Sequence, residues 1–573
     1  HNRGKPVSQK STAHAFLEAL RAHGVKYVFA NAGTDFAPIV EAIAERGGSD
    51  TKIPRFIIVA HENVAVSMAQ GYYQATGEIA AVMVHVNVGT ANLVCGVMNS
   101  SRDRTPILVM AGRTPLTESG HIASRNNGIH WGQENFDQGG MLREYVKWDY
   151  ELRSGQPVSS IVGRALDIAM SEPRGPVYLT LPREVLSDTG VNAGPKPRRK
   201  SLGASHALPE AGTLGEAADI LLKAKNPLII AGRDGAIRGQ AAAIGKFAKK
   251  FAIPVVQNGR LALPSDHPMN MGYAPAQLVS KADAIVVVDS MVPWVPRMVS
   301  PKANAALIHI SPDPLFSEIP FRGFEMDIAL TGSSPATIDQ LGKIMGRKAG
   351  KHKKTISTRA NRLAKEQAAM QKDREKLLAT AATQTPIAPA WIAHCVSKVK
   401  SKDAIFVSEL SVPPAFMNMK DPENFIGTSV AGGLGSGLGM ALGAKLACPD
   451  QDVILAVGDG SYIFGNPTAA HFVARAEDLP TLTIVTNNHM WNAVKSSTLS
   501  MYPAGAASKS NRVPLSHLDP SPDFEKIIES VGGYGEKVED PAELEAAIRR
   551  ALKAVRGGRP ALLNVITAAG GRY

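Results

Sequence analysis

The sequence predicts an α/β protein with three doubly wound domains. Short apolar runs of four to six residues alternate with amphipathic stretches along nearly the whole chain. Such runs are typical of parallel strands that are covered by helices on both faces. A length of 573 residues suits about three domains. Two basic stretches, Lys196–Lys200 and Lys343–Lys376, are predicted to be the linkers between these domains.

Composition narrows the class of protein. The hydrophobic content of 44% and the charged content of 20% are ordinary for a soluble globular protein. No apolar run is long enough to predict a membrane-spanning helix, and the first residues lack the apolar segment of a secretory signal. Three scattered cysteines match no metal-ligand spacing and suit a reducing compartment. We therefore expect a cytoplasmic protein without a membrane partner.

The net charge of +12 raises the question of nucleic acid binding. Much of the excess positive charge lies in the two basic stretches, which contain few aromatic residues. Solvated linkers account for this pattern better than a nucleic-acid surface does. We therefore expect no nucleic acid partner.

The first predicted domain covers residues 8–188. Ser11-Thr12 is expected to cap its first helix, because hydroxyl side chains accept bonds from free N–H groups at helix starts. The predicted strands are Tyr27–Ala30, Phe56–Ala60, Ala80–His85, Ile107–Ala111 and Val177–Leu181.

The middle domain is predicted at residues 206–345 and the last at residues 380–573. The middle domain reads as a six-stranded Rossmann-like unit. Its first turn, AGRDGAIRGQ, does not match the G-x-G-x-x-G pattern, so the motif gives no support for dinucleotide binding. The predicted strands of the middle domain are Leu228–Ala231, Pro254–Gln257, Ala284–Asp289 and Ala306–Ile310.

Two polar clusters in the last domain each follow a predicted strand. Gly458-Asp459-Gly460 follows Val453–Val457, and Asn487-Asn488 follows Leu482–Thr486. Ligands of open α/β sheets bind at these strand ends. Taken alone, either cluster would be an ordinary turn or cap. Together, at this spacing, they favour a site for a metal-bridged diphosphate.

Mg²⁺ prefers oxygen ligands and often retains phosphate oxygens among them. The carboxylate of Asp459, the side-chain amide of Asn488 and the backbone carbonyl of Met490 are the candidate metal ligands. Gly458 and Gly460 are expected to let backbone N–H groups approach phosphate oxygens.

The stretch 453–490 resembles the thiamine diphosphate signature of the family that contains acetolactate synthase, pyruvate oxidase, benzoylformate decarboxylase and oxalyl-CoA decarboxylase. The likeness extends over nearly the whole chain. It implies a pyrimidine-binding domain, a central Rossmann-like domain and a diphosphate-binding domain, with thiamine diphosphate and Mg²⁺ as cofactors. It also implies a homo-oligomer, either a dimer or a tetramer, in which a glutamate of one subunit meets the diphosphate site of another.

That glutamate corresponds to Glu62, which opens a predicted helix ending near Thr76. Taken alone, a carboxylate at a helix start is a favourable dipole partner. The resemblance implies instead that Glu62 bonds the aminopyrimidine ring and helps to remove the proton from the thiazolium ring.

The resemblance also suggests groups for proton transfer. His85 falls where benzoylformate decarboxylase has a catalytic histidine, although a hydrogen-bonded structural role is the alternative. Thr34 and Asp35 lie in a loop that carries active-site residues in relatives, and Asp35 is equally well interpreted as a helix cap. Gln133 is a candidate in the polar segment 126–140, together with His130, Trp131 and Glu134 as possible pocket residues.

The remaining cofactor contacts are implied for the last domain. A backbone carbonyl near Gly432 would bond the aminopyrimidine, and Leu434 would hold the cofactor bent. The other implied contacts are Glu409, Ser411, Gly458, Asp459, Gly460, Ser461, Asn488, Met490 and Trp491. The segment Asp289–Met298 of the middle domain departs from the pattern of relatives that bind FAD, which argues against FAD.

The reaction implied is attack of the cofactor on a 2-oxo acid, loss of CO₂ and formation of an enamine on thiamine diphosphate. An aldehyde is the other small-molecule substrate that the resemblance implies. Protonation would make the protein a decarboxylase, and attack on a second carbonyl would make it an acetolactate synthase-like carboligase. The alternatives are a 2-hydroxyacyl or sulfoacetaldehyde-type C–C lyase or acyl transferase, and a non-catalytic subunit with the same fold.

Overall fold

The computed structural model describes residues 10–47, 51–198, 201–232, 237–273 and 276–569. These residues form three parallel β-sheets flanked by helices, which confirms the predicted α/β fold. Contacts divide the chain into two compact units. The first contains the described residues up to Ser205 together with Ala431–Ala447, and the second contains His206–Val430 and the described residues from Cys448 onward.

The first sheet has six strands in the order β2-β1-β3-β4-β6-β5, and all of its pairings are parallel. The edge strand β5 has half-buried polar residues and was not predicted, because its sequence lacks an apolar run. The strands are β1 (Tyr27–Asn31), β2 (Arg55–Ile58), β3 (Ala81–Val84), β4 (Leu108–Arg113), β5 (Asp149–Glu151) and β6 (Val177–Pro182). The helices around it are α1 (Thr12–Ala22), α2 (Ala37–Arg46), α3 (Glu62–Thr76), α4 (Val86–Arg102), α5 (Ile129–Gly132), α6 (Val158–Met170) and α7 (Arg183–Ser187).

The second sheet corrects the predicted six-stranded middle unit. The described residues give it five parallel strands in the order β11-β10-β9-β7-β8. Numbered within the domain this order is 2-1-3-4-5, the flavodoxin-like arrangement. The strands are β7 (Pro227–Ala231), β8 (Val255–Gln257), β9 (Ala284–Val288), β10 (Ala306–Ser311) and β11 (Ile328–Thr331). The helices are α8 (Ala211–Lys223), α9 (Gln240–Phe251), α10 (Ala276–Val279) and α11 (Ser334–Lys348).

Part of the first glycine-containing turn of this domain, residues 233–236, lies outside the described residues. The same holds for residues 199–200 of the first predicted linker. The second predicted linker is helical: α11 leads into α12 (Lys353–Ala381), a helix of 29 residues. Lys and Arg are good helix formers, and residues 353–381 contain no Gly or Pro, so this charged stretch forms a helix and not an open linker.

The third sheet has six parallel strands in the order β13-β12-β14-β15-β17-β16. Its core is built from the apolar strands β14 and β15. The strands are β12 (Ile405–Glu409), β13 (Phe425–Ile426), β14 (Val453–Gly458), β15 (Leu482–Asn487), β16 (Tyr534–Val538) and β17 (Ala561–Ile566). The helices in this part of the chain are α13 (Pro389–Val399), α14 (Gly437–Ala447), α15 (Asp459–Phe464), α16 (Pro467–Ala476), α17 (Asn492–Met501), α18 (Phe524–Glu529) and α19 (Leu544–Arg556).

Helix α14 packs against α3 within the first unit. Glycines make the close approach possible: a Cβ atom at Gly71 would lie 2.1 Å from the carbonyl oxygen of Met440, and one at Gly443 would lie 2.0 Å from the carbonyl oxygen of Met68. This packing buries nearly all of α3 and fixes the helix that begins at Glu62.

A membrane-crossing segment is not found among the described helices, since none combines the length and the apolar character that a bilayer requires.

Candidate active site

Glu62 is the first residue of α3 and is buried, with 6% of its surface exposed. Asn31, at the end of β1, donates from Nδ2 to Glu62 Oε1 at 2.8 Å, and Asn92 donates from Nδ2 to Oε2 at 3.1 Å. His61 caps the helix by accepting a bond from the backbone N–H of Asn63. Both carboxylate oxygens therefore have a fixed position.

Asp35 and His85 form a close pair. The distance from His85 Nδ1 to Asp35 Oδ1 is 2.6 Å, and the backbone N–H of Val86 donates to Asp35 Oδ2 at 3.3 Å. The hydrogen bond to Asp35 is the main cause of a raised pKa for His85. Because Asp35 accepts, Nδ1 carries a hydrogen and Nε2 is the atom that faces outward. Asp35 does not act as the cap of α2, whose N-cap residue is Phe36 without a side-chain bond.

Two glycines leave the space for this pair. A Cβ atom at Gly112 would lie 1.8 Å from Asp35 Oδ2. A Cβ atom at Gly33 would lie 2.1 Å from His85 Nδ1. No side chain larger than hydrogen fits at either position without moving the pair.

His85 Nε2 lies at the edge of a small pocket. The side-chain nitrogen of Gln133 lies 3.2 Å from it. Thr34 Oγ1 and His130 Nε2 are 3.5 Å apart, and burial, with Arg183 nearby, lowers the pKa of His130. The lining consists of Thr34, Asp35, His85, Val86, Arg113, Thr114, Pro115, His130, Gln133 and Arg183.

The structure thus brings Thr34, Asp35, His85 and Gln133 together. Of the other residues in segment 126–140, His130 lines the pocket. Trp131 is half exposed, with its indole N–H donating to Glu118. Glu134 bonds Thr114 and forms an ion pair with Arg113, so it supports the wall of the pocket.

Two pocket residues were missed by the sequence analysis. Arg113 is the last residue of β4, and Arg183 directly follows β6. The available signal was their position, since both stand at the carboxyl end of a strand in the same sheet as β1 and β3.

The second cluster lies in the third sheet, where Asp459 opens α15 directly after β14. The backbone N–H of Gly460 donates to Asp459 Oδ1 at 2.8 Å. Oδ2 is buried and makes no hydrogen bond of normal geometry among the described residues, although backbone N–H groups of residues 488–490 lie near the carboxylate. Burial raises the pKa of this carboxyl group.

The loop after β15 carries the other candidate ligands. Asn488 Oδ1 accepts a bond from the backbone N–H of Met490 at 3.1 Å. Met490 pairs with His517 in an isolated antiparallel bridge, and the backbone N–H of Trp491 donates to Ser516 at 2.7 Å. These contacts fix the backbone that would present the Met490 carbonyl.

Gly458 and Gly460 have ordinary backbone conformations. Neither has a positive φ, so the reason for glycine is not an unusual backbone conformation. At Gly460 the reason is space, since a Cβ atom there would lie 2.3 Å from the Trp491 ring. Ser461 is buried in the same helix.

The other predicted cofactor contacts divide between the units. Glu409 is buried at the end of β12, and Ser411 Oγ accepts a bond from Thr486 Oγ1 at 3.1 Å. Gly432, with φ of +69°, and half-buried Leu434 belong to the first unit. Between them, Gly433 exchanges two hydrogen bonds with the side chain of Asn99.

The donor set of the second cluster suits Mg²⁺. Within the described part of the chain, no group of three or more His, Cys, Asp or Glu side chains could hold a metal ion, so a cage made only of such side chains is not available there. A single carboxylate with a buried, unpartnered oxygen beside an amide and a carbonyl is the set expected for a cation that also binds phosphate oxygens.

Comparison with known families agrees with this geometry. The N-terminal binding domain of thiamine pyrophosphate enzymes matches residues 10–141, their central domain matches residues 214–341, and their C-terminal binding domain matches residues 412–565. The chain belongs to the thiamine pyrophosphate enzymes. Thiamine pyrophosphate is another name for thiamine diphosphate, so the predicted family and the predicted cofactor agree with these matches.

Similar thiamine pyrophosphate enzymes carry different names. The chain is 25% identical to the acetolactate synthase isozyme 3 large subunit of Escherichia coli K12, over 97% of this chain and 94% of that protein. It is 27% identical to a benzoylformate decarboxylase of Pseudomonas aeruginosa, over 97% and 99%. It is also 25% identical to a sulfoacetaldehyde acetyltransferase of Rhodobacter capsulatus, over 97% and 94%.

Among solved structures, the chain resembles a thiamine diphosphate-dependent 4-hydroxybenzoylformate decarboxylase of Rhodococcus jostii RHA1. The TM-score is 0.76 at 23% identity, over 98% of this chain and 100% of that one. This likeness shows a shared fold.

Proposed function

We propose that this thiamine pyrophosphate enzyme removes CO₂ from a 2-oxo acid and protonates the carbon that remains, so that an aldehyde is released. The observation that carries the proposal is the Asp35–His85 pair at the edge of the pocket. The hydrogen bond to Asp35 raises the pKa of His85, so the imidazole holds a proton to higher pH than a free histidine. Nε2 is the atom that delivers this proton.

Thiamine diphosphate, when bound, supplies the electron sink that lets the bond to CO₂ break. Glu62 holds and moves a proton at the aminopyrimidine, and its two asparagine partners keep both oxygens in place. Gln133 orients the ring of His85 through Nε2.

Asp459, Asn488 and the carbonyl of Met490 would hold Mg²⁺, which would neutralise charge on the diphosphate. The support for this assignment is the unpartnered buried Oδ2 of Asp459. A divalent cation compensates the charge that burial otherwise disfavours. We further propose that the enzyme is a cytoplasmic homodimer or homotetramer.

Carboligation is the second candidate, because several relatives are named acetolactate synthase. A carboligase must leave the new nucleophilic carbon unprotonated until a second carbonyl arrives. A histidine poised to donate a proton works against that requirement and favours release of aldehyde.

The test is a CO₂-release assay with thiamine diphosphate and Mg²⁺ on pyruvate, benzoylformate and a series of other 2-oxo acids, with NMR analysis of the products. Free aldehyde from wild-type enzyme, and a fall in its release in His85→Gln, would support a decarboxylase. Acetolactate or another ligated product from wild-type enzyme would establish the carboligase instead. Absence of CO₂ from every 2-oxo acid, with the cofactor bound, would contradict both.

A further inference from the structure

The pocket beside His85 has a polar lining. Eight of its ten residues are polar, and Val86 and Pro115 are the exceptions. Pockets that bind aryl or alkyl groups are mostly apolar, with few polar groups for orientation. The lining therefore suits a substrate whose variable end is itself polar.

Arg183 supplies a buried positive charge to this lining. Only 6% of its surface is exposed. Its guanidinium makes four hydrogen bonds, two to the carbonyl of Ala123, one to that of Ser124 and a longer one of 3.4 Å to that of Thr34. A guanidinium has five N–H groups, so one N–H on Nη1 is left to donate.

The charge of Arg183 is not compensated by an ion pair. In residues 10–47, 51–198 and the other described ranges, no carboxylate lies within ion-pair distance of this guanidinium. Backbone carbonyls satisfy its hydrogen bonds and hold it in place, but they carry no net charge. Burying an unpaired charge is costly, which is acceptable where an anionic ligand completes the pair.

The neighbouring arginines are different. Arg113 pairs with Glu134 at 3.0 Å, and Arg125 forms an ion pair with the same carboxylate. The carboxylate of Asp35 pairs with His85 and not with Arg183. Among these charged residues, Arg183 is therefore the cation of the pocket lining that has no carboxylate partner.

The reacting carboxylate is a poor match for this cation. A cation that holds the carboxylate which leaves as CO₂ stabilises the ground state more than the transition state, where that charge has moved into the cofactor. A group that stays on the substrate throughout loses nothing by such binding. The positive charge of Arg183 is therefore better suited to a second anionic group on the substrate, one that is retained in the product.

We propose that the substrate is a 2-oxo dicarboxylic acid and that Arg183 binds the carboxylate that is retained. This inference rests on the proposed decarboxylation. Arg183 is the specificity-determining residue, and Thr34 and His130 contribute hydrogen-bonding groups beside it.

The test compares matched substrates. 2-Oxoglutarate and 2-oxopentanoate have the same chain length and differ in the terminal carboxylate, and 2-oxoadipate and 2-oxohexanoate form a second pair. For wild-type enzyme, kcat/KM for the better dicarboxylate is expected to exceed that for its matched monocarboxylate by on the order of 100-fold, as for a charged hydrogen bond to a buried cation. Equal or reversed preference in both pairs would overturn the inference.

Variants separate binding from a structural role. Arg183→Gln is expected to lower this preference by about 100-fold, mainly through KM, while Arg183→Lys retains about a tenth of the preference or more. Arg125→Gln is the matched control, because its charge is already paired, and it should leave the ratio unchanged. Equal losses on both substrates of a pair in Arg183→Gln would assign Arg183 a structural role and contradict the proposal.

The substrate panel also distinguishes failure of the proposal for Arg183 from failure of the proposed decarboxylation. CO₂ release from monocarboxylates in preference to dicarboxylates would leave the proposed decarboxylase intact and remove the inference about Arg183. Absence of CO₂ from all members of the panel would contradict the proposed function itself.

Discussion

The first and third sheets share one topology and carry different chemistry. Numbered within their domains, both have the strand order 2-1-3-4-6-5, with β12–β17 taking the places of β1–β6. His85 follows the third strand of one sheet, and Asp459 follows the third strand of the other. The topology determines where a site can form, and the residues at the strand ends determine whether it handles a proton or a cation.

The two buried carboxylates of these sheets show the difference clearly. Glu62 receives a hydrogen bond on each oxygen from a side-chain amide of its own unit. Asp459 receives one on Oδ1, while Oδ2 makes no hydrogen bond of normal geometry in the described part of the chain. In the proposed function the first carboxylate moves a proton, and the second has an open position that a divalent cation would complete.

Glu62→Gln gives the largest expected effect on this comparison. The substitution preserves size but removes the group that moves the proton, so activity should fall by on the order of 1000-fold. The measurement is steady-state CO₂ release at saturating cofactor, with thermal unfolding recorded in parallel.

Glu78→Gln is the control, because this glutamate is in an ion pair with Lys26 that is about half exposed, and it lies in the same unit. Its activity should stay near that of the wild type. Full activity in Glu62→Gln would remove Glu62 from the mechanism.

Asp459→Asn tests the incomplete carboxylate. Its pKa is raised by burial, so the native state binds this proton more tightly than the unfolded state does. The free energy of unfolding therefore falls as pH rises through the unfolded and then the folded pKa. Without Mg²⁺ at neutral pH, Asp459→Asn should have a higher Tm than the wild type.

With thiamine diphosphate and Mg²⁺ the order should reverse. The variant should bind Mg²⁺ about 100-fold more weakly, and the Tm increase that Mg²⁺ gives the wild type should disappear. Asp523→Asn is the control, since this exposed carboxylate has a pKa lowered by Lys526. Unchanged Mg²⁺ affinity in Asp459→Asn would show that the ion binds elsewhere.

Asp35→Asn addresses the proton of His85. Because Asp35 raises the pKa of His85, its replacement should let the imidazole lose its proton at lower pH. Aldehyde release should then decline at lower pH than in the wild type, with a loss of about 10- to 100-fold above neutrality. The measurement is a pH profile of kcat.

Gly112→Ala should produce the same shift without changing a charge, because its Cβ would displace Asp35 Oδ2. Gly128→Ala is the matched control, since a Cβ there has open space around it. An unshifted profile in both Asp35→Asn and Gly112→Ala would separate His85 from proton transfer.

Much of the fold and of the site positions could be predicted from local sequence. Strands buried on both faces, such as β14 and β15, are continuous apolar runs, and the polar residues that follow them stand where ligands bind. Asp459 was predicted as a ligand in this way, whereas the role of Glu62 was implied by the family resemblance. The charged helix α12 and the polar edge strand β5 were missed, because neither presents the apolar pattern on which such predictions depend.

The contacts within the pocket could not be predicted, because they depend on distances between strands. Asp35 and His85 are 50 residues apart in sequence, so no local pattern indicates their hydrogen bond. The structure excludes Asp35 as the cap of α2, and its role in proton transfer stays a prediction. Arg183 lies 149 residues from Thr34, and it was missed because a lone arginine after a strand carries no motif.

Tyr462→Phe gives the smallest expected effect, and it compares the supports behind the two clusters. Tyr462, in the helix that begins at Asp459, bonds His471 Nε2 through its hydroxyl at 2.8 Å, and both side chains are buried. Burial lowers the pKa of His471 to about 4, so at neutral pH the ring is uncharged. Loss of the hydroxyl leaves a buried ring nitrogen unpaired, at a cost of about 1–3 kcal/mol in the free energy of unfolding.

Tyr178→Phe removes a comparable buried hydroxyl behind the first cluster, where Thr90 and Gln138 bond it at 2.7 and 2.9 Å. Urea unfolding should show similar losses of stability for the two variants. Mg²⁺ titration should separate them, because only Tyr462 supports the helix that carries Asp459. The contrary outcome is equal Mg²⁺ affinity in both variants, together with the similar losses of stability expected above. It would mean that the end of strand β14 alone sets the position of Asp459, and that the helix behind it does not.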